Sequence, residues 1–82
     1  MNEPEQKTFN ALVKDLEKIR RLKNWTTSEI EILEYDIVGL LGLYRMSKDE
    51  KVKFYIEDAI KSGEQHNLEM FAFKIQLQKL LK

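Results

Sequence analysis

Only three glycines and one proline punctuate these 82 residues, and between them apolar side chains return at the three- and four-residue spacing of a helix. No stretch shows the strict alternation of a half-buried strand. The pattern predicts an all-α fold, a small four-helix bundle of short-loop hairpins. A chain of this length holds one core, so residues 1–82 are read as a single helical domain. The four units are similar in length, with no internal repeat and no low-complexity segment.

The helices are expected at Pro4 to Lys23, Thr27 to Met46, Lys48 to Ser62 and Asn67 to Leu81. Pro4 suits a first turn, where its missing N–H has no intrahelical partner to lose, with Asn2 or Glu3 as the cap. Phe9, Leu12, Val13, Leu16, Ile19 and Leu22 then form one stripe. In Trp25-Thr26-Thr27-Ser28-Glu29-Ile30, Thr26 and Glu29 make a capping box, and Trp25 and Ile30 occupy the staple positions. The helix that follows has a core stripe of Ile30, Leu33, Ile37, Leu40, Leu41 and Tyr44. Ile32, Tyr35, Val38, Leu43 and Met46 fill a second face, which predicts a central helix enclosed by its neighbours. Gly39 and Gly42 each cost about 1 kcal/mol against alanine inside a helix, so a close approach of another helix is expected there. Ser47-Lys48-Asp49-Glu50 repeats the box pattern. Val52, Tyr55, Ile56, Ala59 and Ile60 give the third stripe, and Gly63 is read as the stop. The fourth helix carries Leu68, Phe71, Ala72 and Ile75 on one side and Met70, Phe73, Leu77, Leu80 and Leu81 on the other.

Fourteen basic residues balance fourteen acidic ones. That balance argues against a general polyanion binder, whose affinity needs surplus cations, and leaves little charge to hold copies apart. There is no cysteine, which suits a reducing compartment. The start of the chain lacks the basic and apolar regions of a secretory signal, and the longest apolar run, Ile37 to Tyr44, is far below the ~20 residues of a membrane span. The expectation is a cytoplasmic protein with no membrane partner.

Catalytic chemistry has little to build on. A nucleophile needs an activating base about 3 Å away, and the single histidine, His66, lies in a polar link with no cysteine to activate. Zinc needs a set of Cys, His and carboxylate ligands, and His66 with Glu69 has no second copy elsewhere. No glycine-rich phosphate loop is present. No catalytic residue, metal, cofactor or small-molecule substrate is therefore assigned. Lys18, Arg20, Arg21 and Lys23 cluster at the end of the first helix, and Glu29, Glu31, Glu34 and Asp36 begin the second. Each group complements its local helix dipole, and an antiparallel hairpin would set the two side by side.

Trp25-Thr26 with Glu29 and Leu33, and Tyr44 as a second aromatic, resembles the opening of a Myb or SANT repeat. The resemblance stops there: those repeats imply a last helix that presents bases to a DNA groove, and the next helix here mixes Asp49, Glu50, Glu57 and Asp58 with its lysines. The staple and capping box account for the same residues without DNA.

What remains is surplus apolar surface. Leu43, Met46, Phe54, Met70, Phe73, Leu80 and Leu81 are hard to bury together in so small a bundle, and an exposed apolar patch marks a protein interface. The expected function is a non-catalytic interaction module, a small regulator or accessory subunit. It would self-associate as a homodimer or dock on a larger protein through Phe54, Met70, Phe73, Leu77, Leu80 and Leu81 on the third and fourth helices. The alternative is a nucleic-acid-binding domain using Lys14, Lys18, Arg20, Arg21 and Lys23.

Overall fold

A computed structural model describes residues 1–82. It contains four helices and no strand: α1 (Glu3–Arg20), α2 (Thr27–Ser47), α3 (Glu50–Gln65) and α4 (Phe71–Leu81). The local signals set most of the starts. The Asn2 side chain accepts from the Glu5 N–H at 2.9 Å, and the Glu5 carboxylate accepts from the Asn2 N–H at 3.1 Å. Two of the N–H groups that a helix start leaves orphaned are thereby satisfied. At the start of α2 the Glu29 carboxylate accepts from both the N–H and the hydroxyl of Thr26. Those two bonds, the backbone one first, hold the Glu29 carboxyl below its usual range.

The boundaries differ from expectation at all three junctions. α1 ends at Arg20, three residues short of Lys23, because the Ile19 carbonyl is taken by the Leu22 N–H and by the indole N–H of Trp25. Leu22 therefore leaves the core stripe and lies exposed. α2 ends where Lys48 turns left-handed at φ 53°, its N–H donating to the Tyr44 carbonyl. Ser47 stays in α2, and Asp49 caps α3 instead, accepting from the Lys51 N–H at 2.9 Å. The short carboxylate of aspartate is well suited to that role.

The third difference concerns Gly63, which does not stop α3. The helix runs on to Gln65, and Asn67, at φ 63°, supplies the left-handed residue. The Leu68 N–H returns to the Gly63 carbonyl and the Asn67 N–H to that of Glu64, a Schellman closure built on asparagine. The link then extends to Met70, so α4 begins at Phe71 rather than Asn67.

The helices run up, down, up and down. Leu12 meets Gly39, and Pro4, Glu5 and Thr8 lie beside Leu43 and Met46, so α1 and α2 are antiparallel. Phe9 packs edge-on to Tyr55, ring centroids 5.3 Å apart, and Arg20 reaches Asp58, which sets α1 parallel to α3. Met70 meets Leu33 beside Gly63, and Lys48 donates to the Leu80 carbonyl, which sets α4 parallel to α2. Helix α2 touches all three others, while α1 and α4 do not meet. The innermost side chains are Leu33, Ile37 and Leu40 of α2 with Val52 and Ile56 of α3, each of which stabilises the fold by roughly 1.5–3 kcal/mol through burial. No helix is long and apolar enough to cross a membrane.

The expected pairing of the α1 cations with the α2 acids does not occur. Arg20 bonds Asp58 of α3 and lies within 3.7 Å of Glu17. Asp36, placed among the dipole-complementing acids, is buried instead, because its position falls on the side of α2 that packs on α1.

Candidate interaction surface

The surface expected on α3 and α4 is divided by the fold. Met70 and Leu77 are only 2% and 6% exposed, so neither can anchor a partner. Met70 lies over Gly63, where no side chain intervenes, and Leu77 packs toward Ile60 at the α3–α4 seam. Phe73 and Leu80 are partly buried against the same core. Of the six residues only Phe54 and Leu81 are exposed. Phe54 points away from the Val52–Ile56 stripe with the Lys53 ammonium over its ring, whereas Leu81 lies in the α3–α4 seam. The inward side of α4 is thus the Met70–Phe73–Leu77 side, and Phe71 and Ile75 face outward.

The bare apolar surface is on α2. Enclosure was expected for this helix, yet its three neighbours cover only the core side and its two shoulders. Leu43 is buried against α1, while Tyr35, Val38 and Met46 are 76%, 56% and 70% exposed. Ile32 and Gly42 are exposed beside them. Spacings of three and four place Ile32, Tyr35, Val38, Gly42 and Met46 on one continuous stripe opposite Ile37 and Tyr44. A shallow groove of about 340 Å³ runs along its lower half, floored by Val38, Gly39, Gly42 and Met46 and rimmed by Pro4, Glu5 and Thr8 of α1. Glu31 and Glu34 flank Tyr35 and Val38 at the upper end. Arg45 stands at the lower end, exposed and without an ion-pair partner in the chain.

The two glycines of α2 have different roles. A Cβ on Gly39 would stand 3.2 Å from a Leu12 methyl, so the close approach expected there is real, whereas nothing lies within 4 Å of the same position at Gly42. Gly42→Ala is therefore expected to raise the midpoint of thermal or urea unfolding, measured in dilute solution, by the equivalent of about 0.5–1 kcal/mol. A loss of stability would mean that Gly42 serves a contact made within the chain.

The cations of the alternative surface are spread along α1 and the turn that follows it. Lys14, Lys18, Arg21 and Lys23 are exposed, but Arg20 is held by Asp58 and Glu17. No exposed aromatic ring stands among them, and the nearest, Trp25, is stacked on His66 with centroids 3.6 Å apart and planes at 3°. His66 is held in place a second time by the Nδ1 contact of 3.0 Å to the Ser62 carbonyl. The stack bolts the α1–α2 turn to the end of α3, which gives the one histidine a packing role.

One group with unusual chemistry carried no motif. The Asp36 carboxyl is pushed up to about 6 by burial and then by the Asp15 carboxylate facing it from α1. Its Oδ2 has no hydrogen-bond partner. It opens onto none of the surface grooves and lies on the α1 side of α2, away from the bare stripe. In class the protein is an all-α four-helix bundle whose α2 carries an uncovered apolar face. No family profile, curated protein or solved structure matches this chain.

Proposed function

We propose that this chain is a non-catalytic protein–protein interaction module that docks through the outer face of α2, as a small regulator or accessory subunit does. The observation that carries the reading is the run Ile32, Tyr35, Val38, Gly42, Met46, left uncovered on the helix that otherwise forms the centre of the fold. Monomeric proteins rarely leave contiguous apolar surface of this kind without a use. Tyrosine and methionine are among the residue types that interface centres favour. Phe54 and Leu81, the exposed remainder of the surface expected on α3 and α4, lie on different faces, and the outward Phe71 and Ile75 of α4 make a shorter run than the five positions of α2. A nucleic acid on Lys14, Lys18, Arg21 and Lys23 has less support, since the chain is neutral overall and one member of the cluster, Arg20, is already paired.

The test is photo-crosslinking in cells that express the chain, with a benzophenone side chain at Val38 in one variant and at Lys51, exposed at the start of α3, in another. A discrete protein adduct from position 38 and none from position 51 is the expected result. No adduct at position 38, or the same adducts from both, removes the reading.

A further inference from the structure

We infer that the partner of the α2 face is a second copy of this chain, with the two α2 helices antiparallel across a two-fold axis that passes near residue 40. The inference rests on the docking role proposed for α2 and adds the occupant and its register.

Three features of the stripe are self-complementary in that arrangement. An isologous contact brings residue i of one copy to residue j of the other and j to i. An axis near residue 40 sets Val38 of each copy over Gly42 of the other. Packed helices lie about 8–10 Å apart, and a glycine, open in the monomer, gives the facing valine room to seat. The same register lays Tyr35 beside Met46 of the other copy, a ring against a thioether.

The charges fit as well. The outer face is acidic toward its start, at Glu31 and Glu34, and basic toward its end, at Arg45. A two-fold axis perpendicular to antiparallel helices keeps each flank on its own side. Glu34 and Arg45 occupy the same flank of the stripe, so each Glu34 meets the other copy's Arg45, twice per dimer. A parallel pairing would instead set Glu34 level with Glu34 and Arg45 level with Arg45. Flanking charges of this kind choose orientation in helix pairs, and a net charge of zero opposes association little.

The experiment is sedimentation velocity on the purified full chain from micromolar to millimolar concentration, for wild type, Glu34→Arg, Arg45→Glu and an equimolar mixture of the two variants. Glu34 and Arg45 are exposed and unpaired in the single chain, so circular dichroism should be unchanged by either substitution. Wild type is expected to rise from 9.8 kDa toward twice that mass. Each variant alone should dimerise about tenfold more weakly, since it places like charges opposite one another twice. The mixture should recover wild-type affinity, because both contacts in the mixed dimer are again between opposite charges. A wild-type chain that remains at 9.8 kDa throughout overturns the inference, as does a dimer indifferent to both substitutions, or a mixture no tighter than its components. A monomeric chain that still gives a discrete heavier adduct at Val38 in cells separates the two claims: the docking face stands, and its occupant is another protein.

Discussion

Gly63→Val is expected to lower the stability of the fold by about 2–3 kcal/mol, the upper part of the range for forcing extra methyl groups into a packed interior. A Cβ at this position would lie 2.8 Å from both Sδ and Cε of Met70 and 3.1 Å from a Leu33 methyl. All three residues are buried. The thioether can swing, but it is enclosed, and Leu33 is 0% exposed, so the added branches have nowhere to go without moving α4 off α3. The opposing effect is small by comparison, since replacing a glycine inside a helix gains under about 1 kcal/mol. The steric origin is checked with Met70→Ala. Alone it should cost about 2–4 kcal/mol through its cavity. Combined with Gly63→Val it should cost less than the sum, because the valine methyls fill the space the thioether leaves. Urea midpoints of the four proteins decide the matter: strict additivity would mean that Gly63 and Met70 do not share that space.

The same glycine marks where the sequence can be read and where it cannot. Thr26 with Glu29 is legible because a capping box is closed within four residues, whereas at the first helix the choice between Asn2 and Glu3 is decided by the Glu5 carboxylate returning to the Asn2 N–H. The core stripe of α2 is legible because its period is local too. Gly63 fits a helix stop equally well by position, and what removes that reading is Met70, seven residues further on and brought over the glycine by the turn at Asn67. The two sides of α4 are similarly undecidable from composition, since each carries several large apolar residues. The seat at Gly63 draws Met70 inward, Phe73 and Leu77 follow on the same side, and Phe71 and Ile75 are left outside. This explains why the docking surface expected on α3 and α4 is half core. On α2 the apolar residues of the second face were apparent, but enclosure was inferred from their number. Their coverage depends on how many neighbours reach that side, and three helices cannot surround a fourth when two of them also flank α3. Lys48 was unreadable for another reason: a non-glycine residue in the left-handed region leaves no compositional trace.

Asp36 gives the second large effect, and it changes with pH. Its carboxyl is raised from 3.8 to about 6 in the folded chain, whereas in the unfolded chain it returns to its ordinary value. Between those two values the folded state binds more protons than the unfolded one, so this group's contribution favours folding below pH 4 and is lost as pH rises through about 6. A displacement of about two pH units corresponds to roughly 3 kcal/mol as an upper bound. Asp36→Asn removes the charge but keeps a polar group in the same buried place, which still costs part of that sum. The variant is therefore expected to exceed wild type by about 1–2 kcal/mol at pH 7.5 and to match it near pH 3.5, the difference opening between pH 4 and 6.5. Urea midpoints across that range measure it, and a difference that is flat with pH would show that Asp36 titrates normally. The cause divides further. Asp15→Asn, across the α1–α2 contact, removes the facing negative charge and should bring the Asp36 titration, followed by carbon NMR of its carboxyl, partway back toward 3.8. Most of the shift should persist, because burial is the larger cause.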